Sequence, residues 1–152
     1  MKLIQIGKNG LHPREAYAVS EMEEHFQGSW QAYSSLVVTD DQGPMEVDLL
    51  IITSDRILLV EIKDWNGRLT SYRGEWHVGG RSRGGSPFNL KKAHALRISK
   101  LLQRVLKDKV GYSPLVEAHV VLSGSSTPEE LPENEKRYVH SLETFLKIRK
   151  PA

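Results

Sequence analysis

The sequence predicts an α/β fold: a mixed β-sheet flanked by helices, in the order α-β-β-β-(β-hairpin)-α-β-α. Three observations lead there. Two apolar runs, LLII and ILLV, flank a polar turn within residues 45–63 and read as paired strands. From about Phe88 to Lys107, apolar residues recur at helical spacing. The β-branched run VEAHVVL follows that helix. A strand, a long helix and another strand call for a parallel crossover added to an antiparallel meander.

Each element has its own local reason. His12-Pro13 opens a first helix, because proline suits the first turn, where its missing N–H costs nothing. Glu15, Val19, Met22 and Phe26 fall on one face of that helix, and Gly28 can end it. Tyr33 to Thr39 reads as a strand, and DDQGP, residues 40–44, as a turn. The hairpin 45–63 follows. Gly67 to Val78 reads as a smaller hairpin turning at Arg73-Gly74, and GGRSRGGSP, residues 79–87, as a flexible basic loop. In the long helix, Leu90, Ile98, Leu101, Leu102 and Val105 form the apolar stripe. After the strand Leu115 to Leu122, GSSTPEELPENE reads as a loop. Tyr138 to His140 is a short strand, and Ser141 caps a helix through Lys147.

Composition narrows the function classes. A chain of 152 residues suits a single domain over 1–152 with a sizeable core. No run is long enough for a membrane helix, and Met1 to Gly10 lacks a secretory apolar region, so a cytoplasmic protein with no membrane partner is expected. There is no cysteine, which removes disulfides, thiolate chemistry and cysteine-based zinc sites. The six histidines show no ligand-pair spacing.

Charge is unevenly placed. Residues 1–61 hold 4 basic and 10 acidic side chains, whereas residues 62–110 hold 12 basic and 3 acidic ones. A segment that basic is either a polyanion-binding surface or a solvated helix face beside a charged loop. The candidates for phosphate contact are Arg81 and Arg83 in the loop and Lys91 and Lys92 at the helix start. Lys91 and His94 fall within the apolar arc of the helix. An inward Lys91 either meets a phosphate or snorkels out to water.

The hairpin carries the sharpest signal. A two-residue turn at Ser54-Asp55 sets Thr53 opposite Arg56, Ile51 opposite Leu58, Asp48 opposite Glu61 and Glu46 opposite Lys63. Side chains alternate along a strand, so the four charged residues share one face. Facing Cβ atoms lie about 5 Å apart, and like charges in that position destabilise a sheet. Two readings follow. Either a divalent cation compensates, held by Asp48, Glu61 and a backbone carbonyl, an oxygen set suited to Mg²⁺ or Mn²⁺. Or the strand end is solvated, with a Glu46–Lys63 ion pair. Glu15 on the apolar face of the first helix equally complements the helix dipole.

Taken together, these residues resemble the nuclease-related domain (NERD) family of the PD-(D/E)xK, restriction-endonuclease-like superfamily. The matching pieces are PREA around Glu15, EVDLLII with Glu46 and Asp48, VEIKDWNG with Glu61, Lys63, Trp65 and Gly67, the pair Gly74 and Trp76, Pro87, and VVLSG at residues 120–124. The match spans about residues 13–148. The resemblance implies a restriction-endonuclease-like mixed sheet and metal-dependent phosphodiester hydrolysis of nucleic acid, DNA first. Asp48, Glu61 and the carbonyl of Ile62 would hold Mg²⁺ (or Mn²⁺), Lys63 would position the attacking water, and Glu15 would complete the acidic cluster. Trp65 and Trp76 are expected as packing residues. Where many members carry N-P-x-x-Q, this chain has SPFNL, so Leu90 replaces the glutamine, and Lys91 or Asn89 is left to supply a polar contact. That variant resembles domains preceding kinase domains in bacterial phage-defence proteins, so the expected setting is DNA processing or defence. The end at KIRKPA is expected to be that of a fragment of a longer multidomain protein, with a kinase or other domain as partner.

Three roles compete: a nuclease, a nucleic-acid-binding module that cleaves slowly or not at all, and a regulatory module of a larger defence protein. Double-strand cleavage needs two sites, for which a homodimer is one common route.

Overall fold

The computed structural model describes residues 1–7, 10–106, 109 and 114–148. The sheet expected from the sequence is there, with six strands among the described residues. β1 (Lys2–Gln5), β2 (Gln31–Asp40), β3 (Gly43–Ile52), β4 (Arg56–Lys63), β8 (Leu115–Leu122) and β9 (Val139–Ser141) lie side by side in that order. β2, β3 and β4 form the antiparallel meander. β1 is parallel to β2, and β4, β8 and β9 run parallel to one another. The mixed sheet flanked by helices is that of a restriction-endonuclease-like fold. β5 (Leu69–Tyr72), β6 (Glu75–Val78) and β7 (Arg81–Gly85) make a second, small sheet. No helix among the described residues is long and apolar enough to cross a membrane.

Each face of the main sheet has its own core. α1 (Pro13–His25) buries Ala18, Val19 and Met22 against Leu49, Ile51, Leu58, Val60 and Ile62, closed by Phe26, Trp30 and Phe145. The amino group of Met1 donates to the carbonyls of Glu23 and Phe26, both at 3.1 Å, placing positive charge at the helix C-terminus. α2 (Pro87–Leu106) covers the other face with Phe88, Ala95 and Ile98, beside Leu59, Val120 and Leu122. Ser86 starts it: its Oγ accepts the N–H of Asn89 at 3.1 Å.

Several sequence expectations need correction. α1 ends at His25, where Phe26 turns to extended backbone and donates its N–H to Met22, so Gly28 plays no part in the stop. The stripe of α2 runs through Phe88, Lys91, Ala95 and Ile98. Leu90 and Val105 are exposed, at 55% and 59%. The expected stripe shares Ile98 and the half-buried Leu101 and Leu102 with this face, and Lys91, set within the apolar arc, does point inward. The expected helix end at Lys107 lies outside the described residues. GGRSRGGSP is not a loop. Gly79 and Gly80 both take positive φ, 57° and 81°, the requirement of a tight type I′ turn, and β7 follows. The small hairpin does turn at Arg73-Gly74, with φ of 51° and 77°. The end of GSSTPEELPENE enters α3 (Glu133–Lys136), and Ser141 caps α4 (Leu142–Phe145), which stops short of Lys147. β1 had no local signal in the sequence.

Candidate active site

The hairpin register is the expected one up to a definite point. Leu49 pairs with Val60, Leu50 with Leu59, Ile51 with Leu58 and Ile52 with Ile57. Thr53 donates its N–H to Arg56 across the Ser54-Asp55 turn at 3.0 Å. The β3–β4 ladder ends at Leu49 and Val60, so Asp48 and Glu61 are not ladder partners. Instead, Asp48 Oδ2 accepts the N–H of Ile62 at 2.9 Å. A carboxylate thus takes a donor that a regular ladder would have given to the β3 backbone.

The ladder opens because two strands change face together. Ala32 of β2 and Leu49 and Ile51 of β3 point into the α1 core, whereas Leu36, Val38, Met45 and Val47 pack into the α2 core. The change falls at Ser35 and Asp48, which sit opposite each other between the pairs Ser34–Leu49 and Leu36–Val47. Ser35 has φ of 55°, a left-handed backbone that interrupts strict alternation and is strained for a residue with a Cβ. Gly7 packs on it so closely that a Cβ there would lie 2.4 Å from the Ser35 carbonyl oxygen.

Glu61 and Lys63 project on the α2 side of β4, and Lys91 comes down from α2 to meet them. Glu61 Oε1 lies 3.3 Å from Lys63 Nζ, and Oε2 lies 3.2 Å from Lys91 Nζ. Lys91 Nζ also donates to the carbonyl of Glu46 at 2.6 Å and stands 3.5 Å from His94 Nδ1. The Lys91 side chain is 6% exposed, so it does not snorkel. Burial, then the Lys91 charge, lowers the pKa of His94. Lys63 pairs with Glu61 rather than with Glu46.

Glu15 and Glu46 approach from the other direction. With Asp48, Gly7, Gly10 and Ser35 they line a cavity of about 290 Å³. The side chain of Glu46 is therefore not on the face of Glu61 and Lys63, a consequence of the face change. Burial raises the pKa of Asp48 to about 6, and the charges of Glu61 and, less strongly, Glu15 add to the shift. The Ile62 N–H and the Lys91 charge oppose it.

The residues after β4 are strapped to the loop after β8. Ser123 donates its N–H to the Lys63 carbonyl at 2.9 Å, and Ser126 donates to the carbonyls of Trp65 and Gly67 at 3.1 and 2.7 Å. A Cβ on Gly124 would lie 2.2 Å from the Trp65 carbonyl oxygen, which explains the small residue in VVLSG. Trp65 is half-buried and lies under Lys63 Nζ, 5.6 Å from its ring centre, and under the Arg83 guanidinium at 5.9 Å. Trp76 is fully buried, and its Nε1–H donates to Glu135 at 3.2 Å, a packing role.

Not every candidate joins this group. Arg83 reaches its rim through Trp65. Arg81 is exposed opposite Val78, and its guanidinium makes no ion pair or side-chain hydrogen bond among the described residues. Lys92, one step round the helix from Lys91, lines a separate cavity of about 700 Å³ with Phe88, Leu96, Leu115 and Tyr138. Leu90, at the usual glutamine position, faces solvent.

Asp48, Glu15 and Glu46 offer carboxylate oxygens around one cavity, with Glu61 adjacent to Asp48, and oxygen is the ligand type that hard divalent cations take. In a strand, N–H and C=O of one residue point to the same neighbour, so the Ile62 carbonyl faces the same side as the N–H that Asp48 accepts. Among the described residues, acidic and histidine ligand atoms from three or more residues converge within 4.8 Å only in a surface trio, half-buried Glu21 with exposed Glu24 and His25. Asp48, Glu61 and Glu15 stand wider apart, with Glu61 drawn to the two lysines.

Two comparisons bear on this arrangement. The sequence profile described as "Nuclease-related domain" matches residues 12–123. A relative described as "Probable kinase PglW", from Streptomyces coelicolor (strain ATCC BAA-471 / A3(2) / M145), is 30% identical over 128 residues. The alignment covers 81% of this chain and 8% of the relative, so the chain spans a small part of that protein.

Proposed function

Because this chain belongs to the nuclease-related domain family, we propose that it hydrolyses phosphodiester bonds in nucleic acid, with DNA as substrate, using Mg²⁺ or Mn²⁺ held by Asp48, Glu61 and the Ile62 carbonyl. One observation carries the reading: Asp48 and Glu61 lie on adjacent strands where their ladder opens, with Lys63 one pleat further on the Glu61 face. The raised pKa of Asp48 fits it too: burial first, then the Glu61 charge, disfavours its ionised form, and a bound cation would offset both. When bound, the cation supplies Lewis acidity and neutralises charge on the phosphate.

The remaining chemistry belongs to side chains of this protein. Asp48 is oriented by the Ile62 N–H, so its ligand position is fixed before substrate arrives. Lys63 is one-third exposed and can lean from Glu61 toward the scissile phosphate. There its ammonium orders the attacking water and stabilises developing negative charge. Glu15 completes the acidic cluster from α1. Arg83 and the basic segment 62–110 attract the nucleic-acid backbone. Lys91 supplies the polar contact given elsewhere by glutamine. The relative described as a probable kinase, of which this chain matches 8%, supports a place for this domain within a longer protein; a role in bacterial DNA processing or phage defence is part of the same proposal.

A second reading, a binding or regulatory module with weak catalysis, draws on the two ammonium groups that hold Glu61. Cleavage of plasmid and single-stranded DNA with Mg²⁺ or Mn²⁺ separates the two. Cutting by the native chain that is lost in Asp48→Ala and Lys63→Ala supports hydrolysis. Salt-sensitive DNA binding without any cutting supports the second reading.

A further inference from the structure

Lys91 is the one buried lysine or arginine among the described residues. An ammonium group is a compact positive charge with three donors and no acceptor. Taken out of water, it must find oxygens, and the two within contact distance come from different strands. The Glu46 carbonyl belongs to β3, and Glu61 Oε2 belongs to β4. These strands bound the gap where the β3–β4 ladder has opened. His94 adds a ring nitrogen at 3.5 Å. Lys63 also pairs with Glu61, yet it is 33% exposed and stays solvated if Glu61 turns away. Lys91 has no such access to water.

We propose that Lys91 is a built-in counter-cation: it holds Glu61 and the β3 backbone in the metal-free protein, and a divalent cation binds by displacing it from Glu61. The inference rests on Asp48 and Glu61 being the cation ligands. It accounts for the failure of Asp48, Glu61 and Glu15 to draw together, since Glu61 is already neutralised. It also gives Lys91 a second task. Once released from Glu61, its ammonium needs another anion in the same gap, and a substrate phosphate oxygen is the group that meets that need. Cation and polyanion should then favour each other's binding by the same factor.

The test is Mn²⁺ calorimetry on the native protein, Lys91→Met and Lys91→Gln. Removing one unit charge beside a divalent cation should tighten Mn²⁺ binding by at least about tenfold. Without metal the variants should melt below the native protein, and saturating Mn²⁺ should raise their melting temperature by more than it raises the native one. Unchanged or weaker Mn²⁺ binding in folded variants overturns the inference. If the variants do not fold, lysine acetylation of the native protein decides: Lys91 should be protected in chelator and labelled in saturating Mn²⁺. Equal protection in both overturns the inference. The underlying reading fails separately, when the native protein binds no Mn²⁺ or binds it undiminished in Asp48→Asn.

Discussion

The carboxylate of Asp48 accepts the backbone N–H of Ile62 at 2.9 Å, across the point where β3 and β4 cease to pair. One side chain therefore ends a ladder and is aimed beside Glu61 at the same time. A carboxylate so placed stabilises the backbone and is itself destabilised by burial and by its acidic neighbours.

Asp48→Asn separates these effects. The amide oxygen still accepts the Ile62 N–H, while the charge opposing Glu61 is gone. In metal-free protein near pH 8 the variant should be more stable than the native chain by about 1–3 kcal/mol, measured by urea denaturation. Metal-dependent cleavage should fall by at least about 100-fold. A less stable Asp48→Asn would mean that the charge is compensated in the metal-free fold.

The pH dependence has a definite sign. The folded pKa of Asp48, about 6, lies above its ordinary 3.8, so the fold favours the protonated form. Its contribution to stability is complete below pH 3.8 and is lost as pH rises through about 6. The stability gap between Asp48→Asn and native protein should be small near pH 4 and should widen toward pH 7. A constant gap across that range would contradict the raised pKa.

His140 should behave in the opposite sense. Its Nε2 lies 3.0 Å from His119 Nδ1, the two rings stack, and burial and then His119 lower its pKa from 6.5 to about 4. The fold holds it neutral, so its contribution is present above pH 6.5 and is lost as pH falls through about 4. An NMR titration of the ring should show no midpoint between pH 8 and about 5. A midpoint near 6.5 would show that the pair opens to solvent.

Gly124→Ala tests the strap behind Lys63. Its Cβ would meet the Trp65 carbonyl oxygen at 2.2 Å and Asn66 Oδ1 at 2.9 Å. Relief requires backbone movement, so the substitution should cost about 1–3 kcal/mol. It should also lower cleavage more than DNA binding, because it shifts Lys63 and Trp65 rather than the basic surface. Wild-type stability would show that the two loops slide apart freely.

Arg83 and Lys92 should differ as nucleic-acid contacts. Arg83 lies over Trp65 at the rim of the site, whereas Lys92 lines the separate cavity beside Leu115. Arg83→Ala should reduce the salt slope of DNA binding by about one, and Lys92→Ala should leave it unchanged. The reverse result would move the DNA path to the far side of α2.

How far the sequence could be read depended on whether its signals were local. The Ser54-Asp55 turn fixed the register of Leu49 to Ile52 against Ile57 to Val60, and strand alternation placed Glu61 beside Lys63. Alternation failed at Asp48, because its continuation assumes a regular β2, and the left-handed backbone sits at Ser35, where no glycine marks it. The small sheet was half legible. Arg73-Gly74 was read as a turn, but the glycines around Arg81 and Arg83 were taken for flexibility, although Gly79-Gly80 closes a hairpin. In α2 helical spacing placed Lys91 within the apolar arc, where it is buried, but it also took in Leu90 and Val105, which are exposed. β1 is held by partners more than twenty residues away, which no short window contains.

The most direct measurement is anomalous diffraction from crystals of this chain grown with Mn²⁺. A single strong peak should lie among Asp48, Glu61 and the Ile62 carbonyl, with Lys91 Nζ withdrawn from Glu61. No peak there, or Mn²⁺ confined to the surface trio of Glu21, Glu24 and His25, would contradict a metal-dependent site in the opened hairpin.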